Sequence, residues 1–333
     1  MPIVKNQHYV PQFYLRLFSA DGNLIFAYDK VVKKPFRSSV ADVASAKYFY
    51  DFPPNPSGSD DKQIVEKGLA EIEGGCATAF DQLLTEIART GCFDLKVPER
   101  KVTFAYFIAL QFCRTLQFRN MYSQMMESLA TAINDKHDFA RRYFAEKQEK
   151  VVVQSFDVNT TQLTPLEHAD FMFNGPFIAR VVPILLDHIW IVCDNQGAEP
   201  FYTSDSPVVI VPHSDQGPYG GAGFGSRGVQ VVLPLSTRYT LTLWERTYFS
   251  AELLQYEGKV RPMIQQWIPI YNGYQVSSSA RQVYCAADQF KMIPDLMEKF
   301  PELGNPTRTR FTIQSSGLSA HEPTAQRSRP TRR

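Results

Sequence analysis

The hydrophobic pattern of the first 20 residues predicts a short helix preceded by extended chain. Pro11 fixes its own φ angle and disfavours a helical conformation at the residue before it, so Pro11 suits the first turn of a short helix and His8 lies on extended chain just ahead of it. The apolar pairs spaced four residues apart are Phe13 with Leu17 and Tyr14 with Phe18. Gln12 and Arg16 form a polar row beside them. One face of this helix is therefore expected to pack and another to make hydrogen bonds.

Residues 20–59 alternate between strand-like and irregular patterns. Residues 24–28 and 47–51 are rich in branched and aromatic side chains, which predicts two strands. The basic passage 33–37 between them is predicted to be irregular. The proline, glycine and serine residues of 53–59 predict a loop.

Helical periodicity dominates the next section, about residues 61–150. One helix is predicted to start near residue 61 and to end at the glycine pair 74–75, and a second to cover residues 77–88. A third is apolar at almost every position of 104–113, so we expect it to be buried on all sides. It is predicted to continue through Arg119.

From about residue 151 the pattern becomes strand-like. The predicted strands are 151–153, 190–193, 201–211, 229–235 and 239–244. Helical segments are predicted at 165–178, 268–287 and 293–300. Strands, then helices, then strands with hairpin-length connections predict an α+β fold whose sheets are mainly antiparallel.

No change in composition separates the helical section from the strand-rich section, about residues 151–290. We therefore expect one intertwined α+β domain over residues 1–313. Residues 314–333 are polar and contain a cluster of arginines, which predicts a disordered basic tail.

Composition and charge exclude some classes of function. The chain is 44% hydrophobic and 21% charged, as is typical of globular proteins. Because 35 Lys and Arg oppose 34 Asp and Glu, no global field recruits nucleic acid or an anionic membrane, and any anion site must be local. Five widely spaced cysteines favour reduced thiols over disulfides or zinc. Without an apolar leader or membrane-length run, we expect a cytoplasmic protein with no membrane partner.

Arg114 is the first candidate for chemistry, because it ends the most apolar helix. A charge in such surroundings needs a bonded partner. That partner is either a phosphate or carboxylate of a ligand, or an internal carboxylate among Glu66, Glu73 and Asp205. The predicted substrate-binding residues are Gln12, Arg16, Arg114 and Arg119.

Two further candidates are Asp205 and His8. Asp205 lies in the motif Thr203-Ser204-Asp205-Ser206-Pro207, where a carboxylate among hydroxyls either holds a hard cation, acts as a base, or closes a local turn. His8, beside Tyr9 and the proline-started helix, is either an acid–base group or metal ligand, or a packed and hydrogen-bonded core histidine. The predicted catalytic residues are His8 and Asp205, with Asp205 also the metal ligand.

These motifs together resemble the bacterial domain-of-unknown-function family numbered 4238. The matching pieces are the segment from His8 to Arg16, the Asp21-Gly22 turn, Arg114-Thr115, the motif around Asp205, and Leu233-Pro234-Leu235-Ser236. They extend to about residue 290. The resemblance supplies no mechanism, but it implies that His8, Gln12, Arg114 and Asp205 belong to motifs of one family, which favours their meeting in space.

Two functions follow from these candidates. The first is a hydrolase or nuclease-like enzyme acting on a phosphate-containing substrate, nucleic acid included. Asp205 would hold a divalent cation such as Mg²⁺ or Mn²⁺, His8 would act as acid or base, and Arg114 would neutralise the phosphoryl charge. The second is a non-enzymatic binding or defence-associated module, in which the same residues form a buried polar network.

Overall fold

Helices and mainly antiparallel sheets make up the fold, as the pattern predicts. The computed structural model describes residues 4–52, 62–93, 98–147, 163–216 and 222–310. The predicted loop at 53–59, the predicted strand at 151–153 and the predicted tail at 314–333 lie outside these residues. The α+β fold class is confirmed, and the single-domain organisation stays a prediction.

The helices of the described residues range from one turn to more than eight turns. They are α1 (Gln12–Arg16), α2 (Ile64–Thr90), α3 (Pro98–Cys113), α4 (Leu116–Glu146), α5 (Pro165–Ala169), α6 (Pro176–Asp187), α7 (Arg246–Leu253), α8 (Ile268–Ser278) and α9 (Met292–Lys299). A π-helical turn joins α5 to α6.

The strands form three sheets. They are β1 (Asn6–His8), β2 (Leu24–Asp29), β3 (Lys34–Ser39), β4 (Ser45–Lys47), β5 (Ile189–Asp194), β6 (Thr203–Ser204), β7 (Val209–Pro212), β8 (Val229–Pro234), β9 (Tyr239–Trp244), β10 (Lys259–Pro262) and β11 (Gln282–Cys285). The sheet orders are β1-β4, β3-β2-β11-β6 and β10-β5-β9-β8-β7. Among the described strands, only the pair β10–β5 is parallel, so the prediction of mainly antiparallel pairing is confirmed.

The opening segment folds close to the prediction, except that the helix starts one residue after Pro11. Pro11 adopts an extended conformation at the N-cap of α1, and His8 ends β1. β1 pairs with β4, so that His8 lies opposite Ser45. This pairing fixes the histidine backbone against the rest of the fold.

Two helix boundaries differ from the prediction. The helix predicted to end at Gly74-Gly75 continues as α2 to Thr90, because both glycines are exposed and the buried residues on either side, such as Leu69 and Phe80, share one core. The helix predicted to run through Arg119 stops at Cys113. Thr115 takes an extended conformation there, and its hydroxyl accepts a hydrogen bond from the amide of Phe118, which starts α4.

Three strand boundaries also differ from the prediction. The passage predicted to be irregular contains β3, an edge strand whose side chains are mostly exposed, so no alternation marks it. The strand predicted for residues 47–51 ends at Lys47, since Tyr48 has a positive φ angle of 53°. The helix predicted for 268–287 ends at Ser278 and is followed by β11, a central strand.

The main hydrophobic core joins the helices to the sheets. As predicted, α3 is buried on nearly all sides, with Phe104, Phe107 and Leu110 in this core. Leu233 and Leu241 of the five-stranded sheet belong to the same core. The helical section thus packs directly on the strand-rich section.

One stretch of the described residues, Pro165–Asp187, is long and apolar enough to cross a membrane by length and composition alone. A core helix of a soluble protein passes the same test, and this stretch is interrupted by the π-helical turn and contains Pro183 within α6. Its Phe177 stacks on Phe112 of α3 at a centroid distance of 6.2 Å. It is therefore only a weak indication of a membrane span.

The hydroxyl of Tyr14 connects three separate segments. It lies 2.9 Å from the hydroxyl of Thr203 in β6 and donates to the carbonyl oxygen of Pro234 in β8 at 2.7 Å. Tyr14 is fully buried. Because a buried hydroxyl without partners is unfavourable, this contact fixes α1 against both larger sheets.

We expect Tyr14→Phe to destabilise the fold by about 1–3 kcal/mol, because the variant leaves buried partners of Tyr14 unsatisfied. Urea unfolding measures the change. The matched control is Tyr106→Phe in α3, since no other described residue hydrogen-bonds to the Tyr106 hydroxyl. Equal effects of the two variants would contradict the proposed role of the Tyr14 hydroxyl.

Candidate functional site

An open cleft lies where β1, α1 and α2 meet. We call it the N-terminal cleft, and its volume is about 310 Å³. Its lining residues are His8, Gln12, Phe13, Arg16, Glu66, Glu73, Gly74 and Ala77. The volume is at the lower end of the usual range for ligand pockets, which suits a small molecule or one end of a longer substrate.

The predicted polar row of α1 faces this cleft. Arg16 donates to the side-chain oxygen of Gln12 at 3.1 Å, and Arg16 is exposed. Its charge is therefore available at the mouth of the cleft. Of the predicted site residues, the structure brings His8, Gln12 and Arg16 together around this opening.

Arg114 is bound internally to residues of this cleft. Its guanidinium forms an ion pair with Glu73 at 2.9 Å and donates to the carbonyl oxygen of His8 at 2.5 Å. Tyr50 donates its hydroxyl to the carbonyl oxygen of Arg114 at 3.0 Å. With 2% exposure, Arg114 has its internal partner in Glu73, and ligand binding by its guanidinium stays a prediction.

His8 is nearly buried and its imidazole favours the neutral state. Burial lowers the pKa of His8 below its ordinary value of 6.5. Nε2 lies 3.1 Å from the carbonyl oxygen of Ala41, so the tautomer with a proton on Nε2 fits this contact. Nδ1 then carries the lone pair, which is the state that a general base requires.

Glu66 has the most suitable carboxyl group for proton transfer in the N-terminal cleft. Burial raises the pKa of Glu66 to about 7, although the nearby Arg114 opposes this shift and Glu73 adds to it. The group is therefore close to half-protonated at neutral pH. Perturbed carboxyl groups in clefts are typical of functional sites.

The sequence predicts Glu66 and Glu73 only as possible ion-pair partners of Arg114. Their spacing of seven residues places them on one face of α2, and this local pattern was visible in the sequence. Nothing local indicates that His8, from a strand more than fifty residues earlier, faces them. The cleft arises from contacts between distant segments.

Asp205 has a different environment from His8. Its carboxylate accepts hydrogen bonds from the backbone amides of Ala280, Arg281 and Gln282, each at 2.7 Å. The side chain is 2% exposed, and burial raises the pKa of Asp205. The carboxylate therefore holds the turn between α8 and β11, and it does not line the N-terminal cleft.

This geometry does not support the predicted metal-binding role of Asp205. Within the described ranges, no group of three or more His, Cys, Asp or Glu side chains is arranged to hold a metal ion. The Asp205 oxygens instead accept hydrogen bonds from backbone amides.

Arg119 lies in a second cleft, lined by Leu116, Arg119, Asn120, Ser123, Gln124, Glu127, Leu163 and Thr307, which we call the Arg119 cleft. The segment Phe49–Tyr50 contacts both arginines: Tyr50 bonds to Arg114, and the carbonyl oxygen of Phe49 accepts from Arg119 at 2.6 Å. Of the predicted substrate-binding residues, Gln12 and Arg16 thus line the N-terminal cleft and Arg119 lines the Arg119 cleft, whereas Arg114 is buried and lines neither.

The comparison with known proteins identifies a family. The model of the DUF4238 family, described as a protein of unknown function, matches residues 6–289. The chain therefore belongs to this family, and the resemblance seen in the sequence is confirmed. No curated protein and no solved structure matches the chain.

The raised pKa of Glu66 predicts a pH-dependent stability. Between the ordinary glutamate value of 4.5 and about 7, the folded chain keeps a proton that the unfolded chain releases. The contribution of Glu66 to the free energy of unfolding therefore falls as the pH rises through this window. We expect Glu66→Gln to be more stable than wild type at pH 8 and to lose this advantage near pH 4.5.

Thermal melting between pH 4 and pH 8 measures this difference. Glu71→Gln is the matched control, because Glu71 is an exposed carboxylate of the same helix outside the cleft. A constant difference between Glu66→Gln and wild type across the pH range would contradict the raised pKa.

Asp205→Asn tests the structural role of the carboxylate. The amide nitrogen of Asn cannot accept hydrogen bonds, so one or two buried backbone donors lose their acceptor, and we expect a loss of about 2–4 kcal/mol in urea unfolding. Asp187→Asn is the control, since the Asp187 side chain is 75% exposed. A Mg²⁺- or Mn²⁺-induced rise in melting temperature that Asp205→Asn abolishes would instead support a metal role.

Proposed function

We propose that this member of the DUF4238 family is a hydrolase that cleaves a phosphate ester in the N-terminal cleft, with Glu66 as general acid and His8 as general base. One observation carries the proposal: a carboxyl group with a pKa of about 7 and an imidazole that favours the neutral state line the same open cleft. Two titratable groups in these opposite states are what general acid–base catalysis requires near neutral pH.

The charges around the cleft are compatible with an anionic substrate. The charge of Glu73 is balanced by Arg114, and Glu66 carries no charge while protonated. Arg16 then contributes the remaining positive charge at the mouth. A phosphate group can bind next to Arg16 without facing an uncompensated carboxylate.

The proposed reaction balances with residues of the cleft alone. Nδ1 of His8 takes a proton from a water molecule while the water oxygen attacks phosphorus. The bond between phosphorus and the leaving oxygen breaks, and the proton of Glu66 moves to that oxygen. A proton exchange with solvent then returns His8 and Glu66 to their starting states.

The size of the cleft restricts the substrate. A volume of about 310 Å³ accommodates a phosphate group and part of its organic substituent. The whole-chain charge of +1 provides no general attraction for a polyanion. We therefore favour a small phosphate ester or the end of a nucleic-acid strand over a duplex.

A non-enzymatic binding module is the second candidate, and the internal bonding of Arg114 and Asp205 favours it. Both side chains are buried and bond to groups of the chain itself. In this alternative the cleft binds a ligand but no bond is cleaved. In the hydrolase, Glu66 donates a proton to the leaving group. In the binding module, Glu66 only forms part of the polar lining of the cleft.

We expect Glu66→Gln to reduce kcat/KM by about 10²–10⁴-fold, because glutamine retains the shape but cannot donate a proton to the leaving oxygen. The assay uses phenyl phosphate, glycerol phosphate and a short single-stranded oligonucleotide, because their leaving oxygens are basic enough to need a proton. In wild type, the rate should rise as His8 loses its proton below pH 6.5 and fall as Glu66 loses its proton above about pH 7.

Glu71→Gln again serves as the control and should retain wild-type activity. Absence of turnover by wild type on all three substrates, or full activity of Glu66→Gln, would overturn the hydrolase proposal. Ligand-induced melting shifts without turnover would support the binding module.

A further inference from the structure

Arg119 is held in one orientation by neutral groups. Its Nε donates to Nδ1 of His168 at 2.8 Å, and one terminal nitrogen, Nη2, donates to the carbonyl oxygen of Phe49 at 2.6 Å. The guanidinium carbon lies 3.6 Å from the centroid of the Phe49 ring. These contacts fix the plane of the guanidinium without neutralising it.

No described carboxylate pairs with Arg119. His168 is a neutral partner, because burial and the neighbouring Arg119 lower the pKa of His168 to about 3, and its Nε2 lies 2.7 Å from the carbonyl oxygen of Cys113. Burial lowers the pKa of Arg119 itself to about 10. A half-buried cation without a counter-charge is unfavourable, and an anion would relieve this.

The remaining donors face an open cleft. Nη1 of Arg119 makes no hydrogen bond with any described residue, and the same is true of the hydroxyl of Ser123, one helical turn further along α4. The Arg119 cleft has a volume of about 440 Å³. Its acidic residue, Glu127, is eight residues along the helix, about 12 Å from Arg119 along the axis.

We propose that the Arg119 cleft binds a phosphate-type oxyanion through Nη1 of Arg119 and the hydroxyl of Ser123. The ligand is inorganic phosphate or the phosphate group of a small molecule. Phosphate is favoured over a carboxylate, because it offers at least three acceptor oxygens and up to two negative charges to Arg119 and Ser123, whereas a carboxylate offers two oxygens and one charge. The start of α4 lies nearby, where the helix dipole also favours an anion.

This site is separate from the N-terminal cleft, so the proposal of phosphate binding at Arg119 is tested independently of the hydrolase proposal. Arg16 lines the N-terminal cleft but not the Arg119 cleft, and Arg119 lines the Arg119 cleft but not the N-terminal cleft. A ligand at Arg119 would contact α4, and no catalytic role for Arg119 is implied.

Ser123→Glu is the sharpest test, because it places a carboxylate one turn from Arg119 and removes none of the bonds that hold the guanidinium. Isothermal titration calorimetry with sodium phosphate at constant ionic strength measures binding, and a parallel titration with sodium acetate measures binding of a carboxylate. We expect Ser123→Glu to weaken phosphate binding by at least about tenfold and to raise the melting temperature of the phosphate-free protein.

Ser123→Gln is the matched control, with a side chain of similar size and no charge, and it should retain most of the phosphate affinity. Arg119→Gln should lose binding, whereas Arg16→Gln and Glu66→Gln should keep it. The inference is overturned if wild type does not bind phosphate, if acetate binds as tightly, if Ser123→Glu binds like wild type, or if Arg16→Gln alone removes binding. The last result would place the phosphate in the N-terminal cleft.

Discussion

The buried guanidinium of Arg114 is the interaction on which the N-terminal half of the fold depends. It joins the end of α3 to Glu73 on α2 and to the backbone of His8. Tyr50, from a fourth segment, donates its hydroxyl to the carbonyl oxygen of Arg114. Removing one partner would leave a buried charge without compensation, so these segments are held together. The N-terminal cleft owes its shape to this one cation, because His8 and Glu73 both line it.

Asp205 has the matching role in the strand-rich half. A buried carboxylate bonded to three successive amides fixes the turn from α8 into β11, and β11 pairs with both β2 and β6. Arg114 and Asp205, the charged residues with the most unusual sequence contexts, thus stabilise the fold. Groups suited to proton transfer are found beside them, on side chains such as Glu66 that have no unusual sequence context.

The sequence predicted the parts of the fold that local pattern determines. The apolar run of α3 identifies a buried helix, and Pro11 identifies the start of α1. The alternation of residues 239–244 identifies the strand β9 but predicts one solvent-exposed face, whereas Thr240 and Thr242 are fully buried. β11 was missed because its four residues, paired on both sides, lack local alternation. The site was only partly predictable: His8, Gln12 and Arg16 are close in sequence, whereas the pKa of Glu66 depends on burial by distant segments.

The break between α3 and α4 lies between two arginines that have different environments. Residues five positions apart point about 140° apart around a helix axis, so Arg114 and Arg119 would face different sides even of a continuous helix. Thr115 adds an interruption between them. Arg114 bonds to Glu73 and His8, while Arg119 stacks on Phe49 in another cleft. The chain therefore neutralises one guanidinium with a carboxylate and leaves the other without a described carboxylate partner.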